Sequence, residues 1–223
     1  MTQVLAGAMN PPFPAERGIE VYNKKLGMWI FLASEVMFFA ALIGSYVILR
    51  FGATGEWAKP GIVLNIKITA FNTFLLICSS VSMVKAYAAI QDGYQDKMKF
   101  WLLMTILGGA TFVGIQVYEY IHLVEHGFTP AGVREGSHLA ELVANGTLPA
   151  ATMGLYGSTF FTMTGFHGFH VTCGVLSMLY LYLFKALPGK YSPQDFGGIE
   201  VVGLYWHFVD LVWIILFTIV YLV

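Results

Sequence analysis

The sequence has 223 residues, 57% hydrophobic and only 11% charged, with a mean hydropathy of +0.68, well short of the roughly one quarter of charged residues in a soluble globular domain. A net charge of −1 without long basic or acidic runs excludes a nucleic-acid-binding surface. The class that remains is a polytopic membrane protein, and the two cysteines, Cys78 and Cys173, each alone in an apolar run, say nothing of redox compartment.

Residues 1–25 read as a polar, Pro-containing N-terminal segment. No short apolar core with a small-residue cleavage site precedes the first long apolar run, so the first span is expected to act as its own insertion signal. Lipid offers backbone groups no partner outside the chain, and a helix needs about 20 apolar residues to cross a hydrocarbon core of roughly 30 Å. Five runs meet this test, near Leu26–Leu49, Ile68–Ile90, Phe100–Leu123, Leu155–Phe184 and Val201–Val223. Short polar links join most of them. The longer link, residues 124–154, is rich in Gly, Pro and charges and predicts a short surface helix at Ser137–Ala144 with Ser137 as its cap. The expected fold is all-α, a single domain over residues 1–223 built as a bundle of five transmembrane helices. No internal repeat points to an inverted-repeat transporter. Of the 12 Lys and Arg, only Arg50, Lys59, Lys67 and Arg134 fall on the side away from the N-terminus. That imbalance predicts a cytoplasmic N-terminus, with the 124–154 link and the C-terminus on the outer side.

Ionisable side chains at membrane depth cost at least about 2.5 kcal/mol each, so each implies a partner, a water or a job. Glu35 stands two or three turns inside the first span, within "SEVMFF". Such depth favours a carboxyl that is neutral much of the time, or one with a buried hydrogen-bonding partner. It reads either as an interhelical hydrogen bond or as a group near a proton path. In the third span, Gln116, Glu119, His122 and His126 follow at spacings of three and four, on one face. A His pair at this spacing beside a Glu is able to hold zinc. The H-E-x-x-H signature is absent, which favours a polar helix end packed against its neighbours. In the fourth span His167 and His170 are one turn apart, flanked by Gly165, Gly168 and Gly174 that admit a close neighbouring helix. They read as interhelical hydrogen-bonding groups in preference to haem or copper ligands. In the fifth span His207 and Asp210 share a face and are expected to pair with each other. No nucleophile of matching context accompanies them.

Four stretches together resemble subunit III of the haem-copper respiratory oxidases: "SEVMFF" in the first span, "LGGATFVGIQVYEY" in the third, "YGSTFFTMTGFHGFHV" in the fourth and "YWHFVDLVWIILFTIVYL" in the fifth. The resemblance implies a non-catalytic accessory subunit of a proton-pumping terminal oxidase that reduces O2 to water. It implies no cofactor or metal in this chain, haem and copper in partner subunits, and bound phospholipid. The implied partners are oxidase subunits I and II, with a cytochrome c donor or a neighbouring respiratory complex, in the bacterial cytoplasmic (inner) membrane. Glu35 matches the family's membrane-buried, carbodiimide-reactive Glu near the proton-uptake side. With it, Glu119, His122, His167, His170, His207 and Asp210 form the set of buried polar or proton-uptake-supporting candidates. Mitochondrial-type members have seven helices and a lipid-filled cleft between the first two and the rest, whereas this chain matches the last five. "AALIGSY" also follows the Glu motif where those members carry more aromatic residues. A quinol oxidase or nitric oxide reductase partner, and a free-standing membrane transporter, are the alternative readings.

Overall fold

The computed structural model describes residues 15–192 and 195–222, with side chains from residue 23 onward. Five helices are long and apolar enough to cross a membrane: Asn23–Gly52 within α1 (Ala15–Gly52), α3 (Ile66–Gln91), α4 (Gln95–Glu125), α6 (Ala150–Leu181) with a π-type continuation to Ala186, and α7 (Gly197–Phe217) with a π-type continuation to Leu222. Two short helices, α2 (Pro60–Val63) and α5 (His138–Ala144), lie in the links.

Local signals account for the boundaries. Asn65 caps α3 by accepting from the backbone of Ile68 at 3.4 Å. The turn into α4 runs through Gly93 at φ +84°, a conformation that costs a residue with a Cβ but not glycine. There Tyr94 N–H bonds back to Ala89 C=O at 2.9 Å and closes the helix end. Ser137 caps α5 as its sequence predicts, accepting from Ala140 N–H at 3.3 Å. Within the same link a two-residue hairpin pairs Phe128 with Val133 and Thr129 with Gly132. It lies against Gly154 and Gly157 of α6, and its buried Phe128 packs among Tyr156, Phe160 and Phe161. The 124–154 link is therefore a folded cap.

Helices α3, α4, α6 and α7 form a four-helix core. α3 and α4 make the most extensive pairing, α6 closes the far side of α4, and α7 packs on both α3 and α6. Helix α1 is attached to this core through α6 and α7. Because lipid is as apolar as leucine, the helices associate by close packing and interhelical hydrogen bonds. Trp206 shows both devices. Its indole lies over Gly109 and Gly174, and its Nε1 donates to Ser79 Oγ at 3.1 Å. Trp213 likewise donates to Thr73 Oγ1 at 2.9 Å.

The five spans agree with the sequence reading in number and order. Helix α1 begins at Ala15, within the polar N-terminal segment, and runs without a break into the membrane span. Residues 1–14, the side chain of Arg17 and Val223 at the end of the fifth run lie outside the described residues. The hairpin, α2 and the π-type helix ends have no counterpart in the sequence reading.

Candidate functional site

Among the buried and half-buried side chains of helix α1, positions 28, 32, 35, 39, 42 and 46 follow in steps of three and four and draw one stripe toward α6 and α7, with Phe38 and Ile43 beside it. Glu35 belongs to this stripe. Its Oε2 lies 3.1 Å from Nε2 of His170 on α6, with the two side chains 16% and 12% exposed. Nδ1 of His170 is 2.7 Å from the Phe166 carbonyl oxygen. A carbonyl only accepts, so Nδ1 carries a hydrogen. Two arrangements of the pair follow. A neutral imidazole accepts at Nε2 from a protonated Glu35, and an imidazolium donates from Nε2 to a carboxylate. Both hold the same mobile proton between Oε2 and Nε2. The rings of Phe38, Phe39 and Phe169 surround the imidazole at 6.3, 5.2 and 5.8 Å between centroids, so the proton sits in a largely apolar box.

His167, one turn before His170, points elsewhere. It is fully buried, stacked on Trp213 at 4.8 Å and meeting Phe112 edge-on at 6.0 Å. Among the described residues neither ring nitrogen has a hydrogen-bond partner. The expected interhelical hydrogen bond is thus made by His170 and not by His167. A three-residue step leaves about 60° between two side chains on a helix of 3.6 residues per turn, enough to aim one at α1 and the other into the core.

The face expected on α4 divides in the same way. Gln116 donates to the Thr164 carbonyl on α6 at 2.9 Å, and Glu119 Oε1 accepts from Thr69 Oγ1 on α3 at 2.9 Å. Both are buried. His122 and His126 are exposed and stack on each other at 4.0 Å between centroids, so the packed polar helix end stops at Glu119. Among the described residues no three or more His, Cys, Asp or Glu gather closely enough to hold a metal ion.

His207 and Asp210 do not pair directly. Ser80 of α3 inserts its hydroxyl 2.6 Å from Nδ1 of His207 and also faces the Asp210 carboxyl. One apolar-looking helix thus supplies the group that joins two polar residues of another. A second cross-helix network lies toward the N-terminal end of α1, where Lys25 meets Glu200 at 2.5 Å, Tyr87 donates to Glu200 at 3.3 Å and Gln91 donates to Tyr87 at 2.9 Å. Sequence spacing gives no signal for either network, because each depends on which helices become neighbours.

Comparison with known proteins bears on the same residues. The family model described as Cytochrome c oxidase subunit III matches residues 15–139 and 143–223, a range that takes in all seven candidate positions. The chain belongs to the cytochrome c oxidase subunit III family. The probable cytochrome c oxidase subunit 3 of Mycobacterium leprae (strain TN) is 36% identical over 198 residues, covering 89% of this chain and 87% of the relative. The cytochrome c oxidase subunit 3 of Bacillus subtilis (strain 168) is 34% identical over 215 residues, covering 95% and 92%. That of Thermostichus vulcanus is 34% identical over 197 residues, covering 88% and 86%. Membership makes this multi-pass chain an accessory subunit of a haem-copper oxidase, an oxidoreductase complex with other oxidase subunits.

Proposed function

We propose that this subunit packs beside the catalytic subunit of a cytochrome c oxidase in the bacterial cytoplasmic membrane, with its N-terminus in the cytoplasm, and sustains proton uptake there through the Glu35–His170 pair. The complex reduces O2 to water with haem and copper held by subunits I and II. The observation that carries the reading is the 3.1 Å contact between Glu35 Oε2 and His170 Nε2, which joins α1 to α6 inside an aromatic box. A pair of this kind takes up or yields a proton with little rearrangement, because one site stays occupied in either arrangement. The other candidates, Glu119, His167, His207 and Asp210, hold the four-helix core in register, and His122 lies at its surface.

A reduced-minus-oxidised spectrum and subunit mass spectrometry of the complex purified through a tag on this chain test the assembly. Haem bands with subunits I and II are expected, and a colourless chain purifying alone under conditions that preserve other membrane complexes refutes it. Glu35→Gln tests the proton role. It keeps an interhelical hydrogen bond and removes the exchangeable acid, so assembly persists while turnovers before inactivation fall. An unchanged turnover lifetime leaves Glu35 as packing.

A further inference from the structure

Helices α3 and α7 meet along two stripes, residues 80, 83, 84 and 87 on α3 and residues 200, 203, 204 and 207 on α7, running in opposite directions. Polar contacts tie the stripes at both ends. Tyr87 donates to Glu200 at 3.3 Å, and Ser80 Oγ lies 2.6 Å from Nδ1 of His207. Two turns of helix separate these contacts, about 10 Å at a rise of 1.5 Å per residue. Between them Gly203 has no side chain to fill the gap, and a crevice of about 280 Å³ runs from Glu200 to His207 with Met83, Val84 and Leu204 in its walls. At roughly 30 Å³ per water, such a volume admits on the order of nine waters. The Glu200 end lies in the first turn of α7 beside Lys25, on the side of the bundle where α1 enters its span.

His207 closes the inner end. It is half-buried and lines the crevice, and since Nδ1 meets Ser80, Nε2 is the nitrogen left to face the space. His167 makes the contrast, with both nitrogens sealed in the core. Behind Ser80 stands Asp210, 7% exposed, whose Oδ1 has no partner among the described residues. A hydroxyl has one hydrogen to give. Turned to a carboxylate, it leaves Oγ to accept from Nδ1–H, and the imidazole then presents an unprotonated Nε2 to the crevice. A buried carboxylate with so few donors is costly as a lone anion. A positive charge on the imidazole beyond Ser80 makes the group neutral overall, and the proton that supplies it has an open way to Nε2. A histidine that only tied α7 to α3 would need neither the crevice nor the carboxylate behind it. Among the described residues the charged and titratable groups around this imidazole are Tyr87 on α3, Glu200 and Asp210 on α7, and Lys25 of α1, which pairs with Glu200.

We propose that this crevice is a second proton-exchange site, at which a proton from water on the Glu200 side is taken up at Nε2 of His207 and held against Asp210 through Ser80. Hydronium gives the proton and leaves as water, an N–H bond forms at Nε2, and the charges of imidazolium and carboxylate cancel. Passing the Nδ1 hydrogen to Ser80 and the Ser80 hydrogen to Asp210 gives the equivalent arrangement of neutral imidazole and carboxylic acid. The proton is thus spread over three side chains. The site does not rest on the role assigned to Glu35 and His170, which meet between α1 and α6.

Deuterium exchange at the imidazole carbon between the two ring nitrogens, read by mass spectrometry on the intact oxidase complex, tests the proposal. This exchange passes through the imidazolium, so its rate against pD gives the titration midpoint of each histidine, and its plateau gives the access of water. His207 is expected to titrate and to reach a plateau within about tenfold of that of exposed His126, far above that of His167. Asp210→Asn lowers the His207 midpoint by about one unit or more, because an opposite charge within reach is lost. Gly203→Leu fills the crevice without touching a polar group and lowers the plateau about tenfold or more. The Cβ it adds meets only Met83, whose flexible end lies at 3.2 Å. Val84→Phe at the exposed lip is the companion variant with the same expectation, since an exposed position does not disturb assembly. A His207 that exchanges as slowly as His167, a midpoint unmoved by Asp210→Asn, or a plateau unchanged in both crevice variants overturns the proposal. Slow exchange in the complex that becomes fast in the isolated chain shows the crevice covered by another subunit and overturns the site for the assembled enzyme.

Discussion

The Glu35–His170 contact makes a quantitative prediction because both side chains are largely removed from water and each has the other as its interhelical partner. Replacing either alone leaves a buried polar group unpaired, at about 1–3 kcal/mol. Glu35→Leu strands Nε2, and His170→Phe strands the carboxyl inside the rings of Phe38 and Phe39. The double replacement strands neither, so the two losses do not add. Interhelical hydrogen bonds in membranes couple by about 0.6 kcal/mol on average and up to about 1.7 kcal/mol, and a charge-assisted bond reaches about 1.5–3 kcal/mol. A double-mutant cycle read by detergent-induced unfolding of the chain gives the coupling directly. Values near 0.6–1.7 kcal/mol assign the neutral arrangement, with the proton on Glu35, and larger values the ionic one. Glu35→Gln divides the two independently. Its amide donates to a neutral Nε2 or accepts from a protonated one, so a hydrogen bond survives in either case. The change is mild in the neutral case and loses the charge-assisted part, roughly half of the coupling, in the ionic case. Coupling below about 0.3 kcal/mol, within the scatter of independent sites, refutes the shared proton and the role built on it.

Three further perturbations test the packing around that pair. A Cβ added at Gly174 lies 2.9 Å from Trp206 ring atoms and 3.1 Å from Tyr205, and Trp206 is tethered to Ser79. Gly174→Val therefore destabilises by about 1–3 kcal/mol, measured as earlier thermal loss of the subunit from the complex, and an unshifted transition shows the α6–α7 contact to be loose. Ser80→Ala removes the hydroxyl between His207 and Asp210 and costs about 1–3 kcal/mol in the same assay, with Ser80→Thr recovering most of it and a neutral Ser80→Ala refuting the bridge. Burial, with Asp195 nearby, pushes the Tyr191 hydroxyl up from its ordinary value. The fold favours the neutral phenol, so this contribution is complete below the unfolded value of about 10 and is lost as pH rises beyond it. Tyr191→Phe, measured by unfolding against pH, declines less steeply than wild type above about pH 10, and parallel curves refute the assignment.

Apolar runs of sufficient length made the five spans legible, because lipid forces the same backbone solution on each of them. The Ser137 cap was legible for a similar reason, since cap and helix lie within one local stretch. The partners of the polar residues were not. His167 and His170 carry the same residue type one turn apart in near-identical "GFH" surroundings, yet one stacks on Trp213 and the other bonds Glu35. What separates them is the rotation of α6 against α1 and α7, which depends on where Gly109 and Gly174 admit Trp206. Ser80 and Thr69 are inconspicuous in α3 for the same reason, and acquire their roles when α7 and α4 bring His207 and Glu119 to them. The hairpin at Phe128 rests on a fit against Gly157 more than twenty residues away in the chain, which no local pattern encodes.

Helix α1 explains why a carboxyl is kept inside an otherwise apolar span. The four-helix core closes on itself, but α1 has the smallest buried share of any of the five spans, 11% of its central window, and its attachment depends on one stripe. Apolar contact alone holds a helix weakly against others in lipid, where the lipid tails compete on equal terms. Two polar ties compensate, Lys25 to Glu200 near the N-terminal end and Glu35 to His170 within the span. The first is partly exposed and screened, worth at most about 1 kcal/mol. The second is sheltered and fixes the rotation of α1, because turning the helix by one residue, about 100°, would carry Glu35 off the seam and toward the face occupied by Val36 and Met37, which is open. The carboxyl therefore specifies α1's orientation, and with it the surface α1 offers on its other side. A contact there that shifts α1 against α6 is expected to change the distance between Oε2 and Nε2, so the coupling measured between Glu35 and His170 should differ between the isolated subunit and the assembled complex.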